Sequence, residues 1–469
     1  MKKINLINIL FFITSFAILT SCKKLVEVSS PVTSVNSGVV YDSDANASAV
    51  LTGIYMNMSK AGISLGSGIT STTLSAGLSS DEIFLIQLAN ESYFQYASNS
   101  LTPISTNSWS NIYNIIFVAN SAIEGLQGSI KLTPAIKAQL LGEAKFIRAF
   151  CYFYLVNLYG GIPLAVSTDY KVNSQLSRSS SNDVYERIIG DLKEAQILLN
   201  ENYVGGDGTA SLDRVRPNRG TATAMLARSY LYIKDYANAV LESSKLIENN
   251  PLYELVDLNN VFLKNSKEAI WQIPSVSNGF YANTPEGREF ILDPNYSVIW
   301  TVSLQKSLVD SFEPNDKRKI EWVNSVTDLT NTTFYYPFKY KIGNEDKPAM
   351  ESSMILRLGE QFLICAEANA ELGNISEAER YLNIIRARAG LPSISTSNQS
   401  VLSEAIFEER RNELFIEWGH RWLDLKRKQK ADAVLGQFKG DSWTTTDQFY
   451  PIPQYDVDRT PNLTQTPGY

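Results

Sequence analysis

Residues 403–427, SEAIFEERRNELFIEWGHRWLDLKR, constrain the fold of this chain more than any other stretch. Their apolar side chains recur at helical spacing, which predicts an amphipathic helix with one face in a core. We expect Gly419 to break or cap this helix, so that a second short helix follows it. The apolar positions are Ile406, Phe407, Leu414, Phe415, Trp418, Trp422, Leu423 and Leu425.

Charged residues fill the positions between these apolar side chains. Charges beside large aromatic rings can stay near a core only when they pair with one another. We therefore predict a fixed lattice of arginine–carboxylate pairs against tryptophan, which would lock a helical corner. The alternative is a catalytic carboxylate pair, which is disfavoured because carboxylates interleaved with arginines are usually ion-pair partners. The predicted lattice comprises Glu409, Arg410, Glu413, Glu417, Arg421, Trp422 and Asp424.

Two segments, 216–251 and 355–391, fit the spacing of tetratricopeptide repeats. Small residues such as Ala227 and Ala366 fall where two antiparallel helices must approach closely. With further helices between residues 109 and 199, the pattern predicts about four helix pairs. The predicted fold class is mainly α, with tetratricopeptide-like pairs in a right-handed superhelical stack and an irregular, aromatic-rich insertion carrying short strands.

Several other segments have recognisable patterns. A helix is predicted over 109–126, with Trp109, Ile112, Tyr113, Ile116, Phe117, Asn120 and Ile123 on one face. The nearly all-round apolar run before Gly160 predicts a helix at the centre of the stack. Residues 61–79 are rich in Gly, Ser and Thr, which predicts a loop. Four prolines in residues 450–469 predict an extended tail across the body.

Residues 275–350 break the helical pattern and are rich in Gly, Pro, Asn and aromatic residues. We expect strands near 267–274 and 333–340 and a short helix near 303–312. A long irregular insertion in a helical repeat protein is more often functional than a mere connection.

The N-terminus has the pattern of an exported protein. Residues 1–21 combine two lysines, an apolar run and small residues before Cys22, which predicts a signal peptide. Leu19 to Cys22 resembles a lipobox, so we expect cleavage before Cys22 and acylation of its side chain. The alternative is a plain secretory signal with an accidental cysteine. Residues 22–42 are polar and predict a tether.

Charge and residue usage disfavour several classes of protein. The net charge is −7, from 42 Lys and Arg against 49 Asp and Glu, which argues against a nucleic-acid partner. His420 is the only histidine in the sequence, so histidine-based metal sites and Ser-His or Cys-His catalysis are disfavoured. We expect no metal and no cofactor. Cys151 and Cys365 are expected to be buried free thiols, although a disulfide between them stays open.

The run from Glu409 to Arg427 resembles the C-terminal signature of the SusD/RagB family, the nutrient-binding outer-membrane lipoproteins of Bacteroidetes. Residues 143–163 resemble the N-terminal motif of the family, and residues 109–120 resemble its W..IY..I..AN run. The tail is similar to the terminal signature, with Thr460 and Thr466 where asparagine is expected.

This resemblance implies one body built from an N-terminal helical region at 43–270, a ligand-binding insertion at 271–350 and a C-terminal region at 351–469. It also implies a lid on a SusC-like TonB-dependent transporter, which captures oligosaccharide or polysaccharide and passes it to the barrel. The ligand groove is expected near residues 80–100 and 275–325.

Sugars suit aromatic surfaces, because a flat ring covers the C–H face of a pyranose while polar side chains bind its hydroxyls. The ring candidates are Tyr93, Tyr96, Phe280, Tyr281, Tyr296, Trp300 and Trp322. The polar candidates are Asp81, Asn90, Asn283, Arg288 and Asn295. No catalytic constellation is recognisable, so we expect no enzyme activity. Peptide capture and a tetratricopeptide scaffold without a small ligand are the alternative functions.

Overall fold

The computed structural model describes residues 40–60, 71–105, 107–248, 251–275, 282–295, 300–343 and 347–469. The predicted signal peptide, Cys22 and all but the last three residues of the predicted tether lie outside these ranges. So do three candidate rings, those of Phe280, Tyr281 and Tyr296.

Helices dominate the described residues. The helices are α1 Asp44–Lys60, α2 Thr72–Ser79, α3 Glu91–Ala97, α4 Trp109–Gly128, α5 Pro134–Tyr159, α6 Tyr170–Asn173, α7 Ser181–Leu198, α8 Arg219–Tyr232, α9 Tyr236–Ile247, α10 Pro285–Phe290, α11 Lys306–Ser311, α12 Lys317–Trp322, α13 Leu358–Glu371, α14 Ile375–Arg388, α15 Gln399–Leu414, α16 His420–Arg427, α17 Ala431–Lys439 and α18 Gln454–Arg459. The strands are β1 Ile83–Leu85, β2 Ala269–Ile273, β3 Val302–Leu304, β4 Val323–Thr327, β5 Thr333–Pro337 and β6 Ser353–Arg357.

The helices stack in pairs, as predicted. In turn, α4 packs on α5, α5 on α7, α7 on α8, and α8 on α9. The second predicted unit, α13 with α14, follows directly because α13 packs against α9, although more than 100 residues separate them in sequence. The small residues Ala227, Ala239, Ala366 and Ala378 are fully buried, so they permit the close helix approach that the repeat requires.

Helix α5 lies at the centre of this stack and is buried along most of its length. Phe146 and Phe150 meet the Trp271 indole edge-on, with ring centroids 4.9 and 5.2 Å apart. The helix begins with Pro134 and ends at Tyr159, and the next residue, Gly160, has a φ of +75° that suits glycine.

Helix α4 confirms most of its predicted buried face. Phe117 is the exception, because half of its surface is exposed to solvent. Ile115 and Ala119 are buried instead. Phe117 therefore lies on the predicted face beside Tyr113 but is not buried.

Residues 72–79 form a helix where the composition predicted a loop, so that prediction was wrong. All eight residues of α2 are buried. The Ser75 hydroxyl donates to the carbonyl of Ser71 at 2.8 Å, and the Ser79 hydroxyl donates to that of Ser75 at 2.9 Å. Small side chains that satisfy their own hydroxyls within the helix let neighbouring elements approach closely.

The strands form three separate antiparallel ribbons, β1 with β3, β2 with β6, and β4 with β5. The predicted strands near 267–274 and 333–340 are confirmed as β2 and β5, and the predicted helix near 303–312 as α11. The tail crosses the body as expected, but it contains the short helix α18 rather than being extended throughout.

The predicted corner between α15 and α16 is present. Gly419 caps α16 with a φ of +70°. Arg357 Nη1 lies 2.6 Å from Glu413 Oε1, and its Nε lies 2.8 Å from Glu417 Oε2. Nearby, Arg410 pairs with Asp424 at 2.8 Å. These groups are all buried, so the charge lattice is structural, as its pattern predicted.

The two cysteines that the structure describes, Cys151 and Cys365, are free and buried. This confirms the default expectation and excludes a disulfide between them. Within the described ranges, no helix is both long and apolar enough to cross a membrane.

Candidate functional site

The pairing of β1 with β3 joins the two aromatic stretches that the sequence singled out. Phe84 lies opposite Ser303 in the antiparallel register. The ladder continues beyond β1, where the amide of Ile86 donates to the carbonyl of Thr301 at 2.9 Å. Residues 83–86 therefore lie beside residues 301–304, where β3 is buried and Phe84 of β1 faces solvent.

The helical corner holds this ribbon in place. Asp81, two residues before β1, accepts hydrogen bonds from Arg421 at 2.8 Å and Arg411 at 2.9 Å. Burial alone would raise the pKa of Asp81, but the hydrogen bond and charge of Arg421, with the charge of Arg411, lower it. The prediction that Asp81 binds ligand was wrong, because both of its oxygens are buried in ion pairs.

Three apolar side chains beside this junction face solvent. The exposed fractions are 45% for Phe84, 68% for Leu88 and 45% for Phe94. Phe84 is the exposed residue of β1, Leu88 follows in a turn, and Phe94 lies on α3, which packs against β1. We call these three side chains, together with the half-buried Tyr93, the aromatic shelf.

Tyr93 links the shelf to the insertion. Its hydroxyl donates to Glu289 Oε1 of α10 at 3.2 Å. Burial and the neighbouring Glu289 charge raise the pKa of the Tyr93 hydroxyl. Asn90 caps α3, because its side-chain oxygen accepts from the amide of Tyr93 at 3.3 Å. The Tyr93 ring is thus fixed at one end while part of it stays open to solvent.

A small hydrophobic cluster, separate from the main core, supports this region. Leu292, Trp300 and Tyr336 are buried together, with Ile86 packed against them. The Trp300 indole donates to the carbonyl of Asp293 at 2.8 Å. The prediction that Trp300 is a sugar platform was wrong, because the ring is only 4% exposed and supports the surface from below.

Three further candidates are structural. Tyr96 is packed edge-on against Tyr450, with centroids 5.2 Å apart. Trp322 is fully buried beneath the charge lattice, and Lys339 Nζ lies 4.8 Å from its ring centroid. The buried Asn283 side-chain oxygen accepts hydrogen bonds from the amides of Met350 and Glu351, which fixes the backbone at these two residues. Their predicted roles in ligand binding were therefore wrong, since none offers an open surface.

Two polar candidates remain near the insertion. Arg288 is half-buried, and its Nη1 donates to the carbonyl of Asn283 at 3.1 Å. Asn295 is exposed and hydrogen-bonds with Asp293 at 3.0 Å. Roles for these residues and for Asn90 in ligand binding stay predictions.

Phe84 and Phe94 were not among the sequence candidates, although both lie in the stretch 80–100. The missing signal was the short helix α3, which Asn90 and Glu91 mark as an N-cap and an acidic first turn. Once α3 is recognised, Tyr96 can face the core only if Phe94, two residues earlier, faces away.

Two carboxyls have the raised pKa that acid–base catalysis needs. Burial and the charge of Asp81 raise the pKa of Glu82 to about 8, and burial raises that of Glu286 to about 7. Glu82 is buried, and Glu286 accepts a hydrogen bond from Ser353 at 2.7 Å.

Among the residues that the structure describes, no group of three or more His, Cys, Asp or Glu could hold a metal ion.

The fold and this surface define the class of protein: a tetratricopeptide-type helical stack that presents an aromatic surface beside an irregular insertion. Comparisons with known proteins then identify the family. The sequence model described as the SusD family matches residues 322–469. A second model, described as starch-binding associating with outer membrane, matches residues 27–231.

Individual relatives agree with this assignment. The chain is 28% identical over 414 residues to SusD-like protein P2 of Formosa agariphila, covering 77% of this chain and 80% of the relative. It is 25% identical over 507 residues to SusD-like protein P38 of the same organism, covering 94% and 95%.

Solved structures share the fold. A SusD superfamily protein from Bacteroides vulgatus superposes with a TM-score of 0.78 at 21% identity, covering 91% of this chain and 99% of the other. A laminarin-binding SusD-like protein gives 0.73 at 22% identity, with coverages of 90% and 99%. Surface glycan-binding protein A from Bacteroides thetaiotaomicron, in complex with laminarihexaose, gives 0.76 at 19% identity, with coverages of 90% and 99%.

The chain therefore belongs to the SusD/RagB family. SusD-like proteins are a family of glycan-binding proteins, and this membership places the chain at the outer membrane. The resemblance found in its C-terminal signature is confirmed.

Proposed function

We propose that this protein captures oligosaccharide or polysaccharide on the aromatic shelf and delivers it to a SusC-like TonB-dependent transporter. The observation that carries the proposal is the pairing of β1 with β3. It brings two unpatterned aromatic stretches together, and Phe84, Leu88 and Phe94 of the first stretch are open to solvent. Exposed apolar groups gathered on one surface commonly mark a binding site.

The chemistry of the shelf suits a sugar. The faces of Phe84 and Phe94 can cover the C–H face of a pyranose, while Asn90, Arg288 and Asn295 supply polar partners at the edge. Few rings take part, and each sugar hydroxyl exchanges one water partner for another. We therefore expect affinities on the order of micromolar to millimolar for the free protein.

Two of the structural neighbours indicate which sugars to test first. One is described as laminarin-binding, and another was solved with laminarihexaose. These ligands belong to those proteins, whose identity to this chain is about 20%, so they guide the choice of a probe. Laminarihexaose is accordingly the first oligosaccharide of the panel, beside plant, fungal, algal and host glycans.

The same proposal includes the membrane anchor. Acylation of Cys22 would tether the body at the membrane, where the captured glycan can pass to the transporter. Metabolic labelling with a palmitate analogue should mark the wild type and leave Cys22→Ala unlabelled. The transporter should co-purify with the wild-type lipoprotein from detergent-solubilised membranes.

Isothermal titration of the purified body against the glycan panel tests the binding function. We expect measurable binding to at least one polysaccharide and its oligosaccharides, with no sugar released during the titration. Silence across the panel would contradict glycan capture, and binding of peptides instead would favour the peptide-capturing alternative. Released reducing sugar would show that the protein is an enzyme.

A further inference from the structure

A hollow separate from the aromatic shelf lies between α4, the connection at residues 163–176 and the tail helix α18. Its volume is about 320 Å³, which falls within the range of small-ligand sites. Three aromatic rings line it, those of Trp109, Tyr113 and Phe117. It shares no residue with the aromatic shelf.

Two of these rings are held rigidly. The Tyr113 hydroxyl donates to the carbonyl of Pro163 at 2.8 Å. The Trp109 indole lies against Tyr113 with centroids 4.7 Å apart, and meets Tyr159 edge-on at 4.9 Å. Trp109 is only 4% exposed and packs against Tyr113, so little conformational entropy would be lost when a ligand covers the fixed Tyr113 ring.

Phe117 completes the ring set. It continues the helical face of Trp109 and Tyr113, yet half of its surface is open to solvent. Neighbouring positions such as Ile116 are buried as the amphipathic pattern requires. An exposed phenyl ring beside a lined hollow is therefore an outlier of the helix pattern, and a ligand in the hollow would cover it.

The polar groups of the hollow include one carboxylate and the hydroxyls of Ser110, Ser167 and Thr460. Asp456 of α18 contributes a half-buried carboxylate, whose pKa is raised by burial and lowered by Arg459 and by a hydrogen bond with Trp109. The Asn120 amide already donates to the carbonyl of Ala165 at 2.8 Å. A matching ligand would thus offer hydroxyls that both donate and accept, together with an apolar face, as a hexose does.

The tail wall of the hollow is fixed at both ends. The amide of Gln454 donates to the carbonyl of Pro103 at 2.9 Å. Beyond α18, the Asn462 amide group donates to the carbonyl of Gln175 at 2.7 Å. The carboxylate of Asp456 is therefore held in a set position opposite the rings of α4.

Another large hollow, of about 570 Å³ between α7, α8 and α9, is less suitable. Its wall carries the charged side chains of Glu201, Arg219 and Lys245, with Tyr253 as its aromatic residue. The rings and the carboxylate in the hollow beside α18 form the more specific combination.

We propose that the hollow between α4 and α18 is a second saccharide site, which binds a neutral hexose unit on Tyr113 and Phe117 with Asp456 accepting from its hydroxyls. The choice of a saccharide rests on the proposed function, whereas the location rests on the geometry of this hollow alone. An organic ammonium ion also suits rings beside a carboxylate, and it forms a separate arm of the test.

Hydrogen–deuterium exchange of the intact body tests the site, with the tightest-binding oligosaccharide of the panel and with choline as probes. We expect the oligosaccharide to protect peptides covering 109–120 and 454–463 as well as those covering 84–95. Phe117→Ala should raise the oligosaccharide concentration needed to protect peptides 109–120 and 454–463 by about tenfold. It should leave the protection of peptide 84–95 unchanged. Asp456→Asn should weaken the protection of the same two peptides. Ile197→Ala, at an exposed position on α7, should not change the protection of any of the three peptides.

The Phe84→Ala/Phe94→Ala variant separates the two proposals. Protection of 109–120 that survives in this variant supports the second site, even if the shelf itself proves inactive. Protection of 84–95 alone overturns the second site and leaves the proposed function intact. Protection by choline but by no oligosaccharide overturns the saccharide assignment, and protection of neither surface by any glycan overturns both proposals.

Discussion

Glu413 is the residue on which the charge lattice converges. Its carboxylate lies 2.6 Å from Arg357 Nη1 and 3.1 Å from Arg318 Nη1, and Arg388 also contacts it. Burial alone would raise the pKa of Glu413, but the three guanidinium groups lower it far below its ordinary value. The group is therefore ionised throughout the range in which proteins are usually studied.

Replacing this carboxylate should be costly. Glu413→Gln leaves two buried guanidinium groups and the partly buried one of Arg388 without their shared counter-charge, so we expect a loss of about 3–5 kcal/mol in the free energy of unfolding. Urea denaturation measures it. The matched control is Glu377→Gln, which breaks the exposed pair with Arg380 and should change stability by about 0–1 kcal/mol. Equal effects of the two substitutions would contradict a structural role for the lattice.

Glu82 gives the molecule a defined dependence on pH. Burial and the charge of Asp81 raise its folded-state pKa from 4.5 to about 8, while Arg421, Lys339 and the amide of Ile416 oppose the shift. Between these two values the folded state binds more protons than the unfolded state. The contribution of Glu82 to stability is thus fully present below about pH 4.5 and is lost as the pH rises towards 8.

Glu82→Gln should therefore be more stable relative to the wild type at pH 8 than at pH 5. The slope that one proton can cause is at most about 1.4 kcal/mol per pH unit. Other groups titrate in the same interval, such as Glu286 and Lys439, so the difference between the two proteins is the quantity to measure. A constant difference from pH 5 to pH 8, measured by urea denaturation, would show that Glu82 is ionised throughout.

At the scale of elements, the link between α15 and α16 has an unusual backbone. Ile416, Trp418 and Gly419 all have positive φ, of 53°, 50° and 70°. A positive φ strains the backbone of a residue other than glycine. The strained conformation of Trp418 persists because this residue is fixed by hydrogen bonds to Thr73 and Met354. The close approach of α2 then requires glycine at position 419, where an added Cβ would lie 2.6 Å from Ala76 Cβ.

Gly419→Ala should destabilise the protein by about 2–4 kcal/mol, combining backbone strain with the clash against α2. Gly373→Ala is the matched control, because Gly373 has a φ of 79° and nothing within 4 Å of an added Cβ. We expect about 1–2 kcal/mol there, from backbone strain alone. Thermal or urea unfolding compares them, and equal losses would mean that the contact with Ala76 is easily relaxed.

The elements that the sequence predicted well are those with a long period. The pairs α8–α9 and α13–α14 repeat their small and large residues over about 30 positions, so their packing could be predicted. Helix α2 could not be, because its stability comes from burial beneath the Gly419 corner and from hydroxyls bonded within the helix. Composition alone favoured a loop there.

At the scale of the whole molecule, the helical corner between α15 and α16 is connected directly to the aromatic shelf. Arg411 and Arg421 form ion pairs with Asp81, which lies two residues before β1. Strand β1 in turn carries the exposed Phe84. The sequence singled out the two stretches that pair here, but it could not decide which rings face out. That choice depends on the β1–β3 register and on the cluster around Trp300, both of which join residues more than 200 positions apart.

The most direct test of the account is isothermal titration of Phe84→Ala/Phe94→Ala with the best oligosaccharide of the panel. We predict at least about tenfold weaker binding, because two sugar-facing rings are removed. The urea midpoint should hardly change, since both rings are about half exposed. Ile197→Ala/Leu212→Ala, at two exposed positions elsewhere, should bind like the wild type. Wild-type affinity in the Phe84→Ala/Phe94→Ala protein would contradict the account.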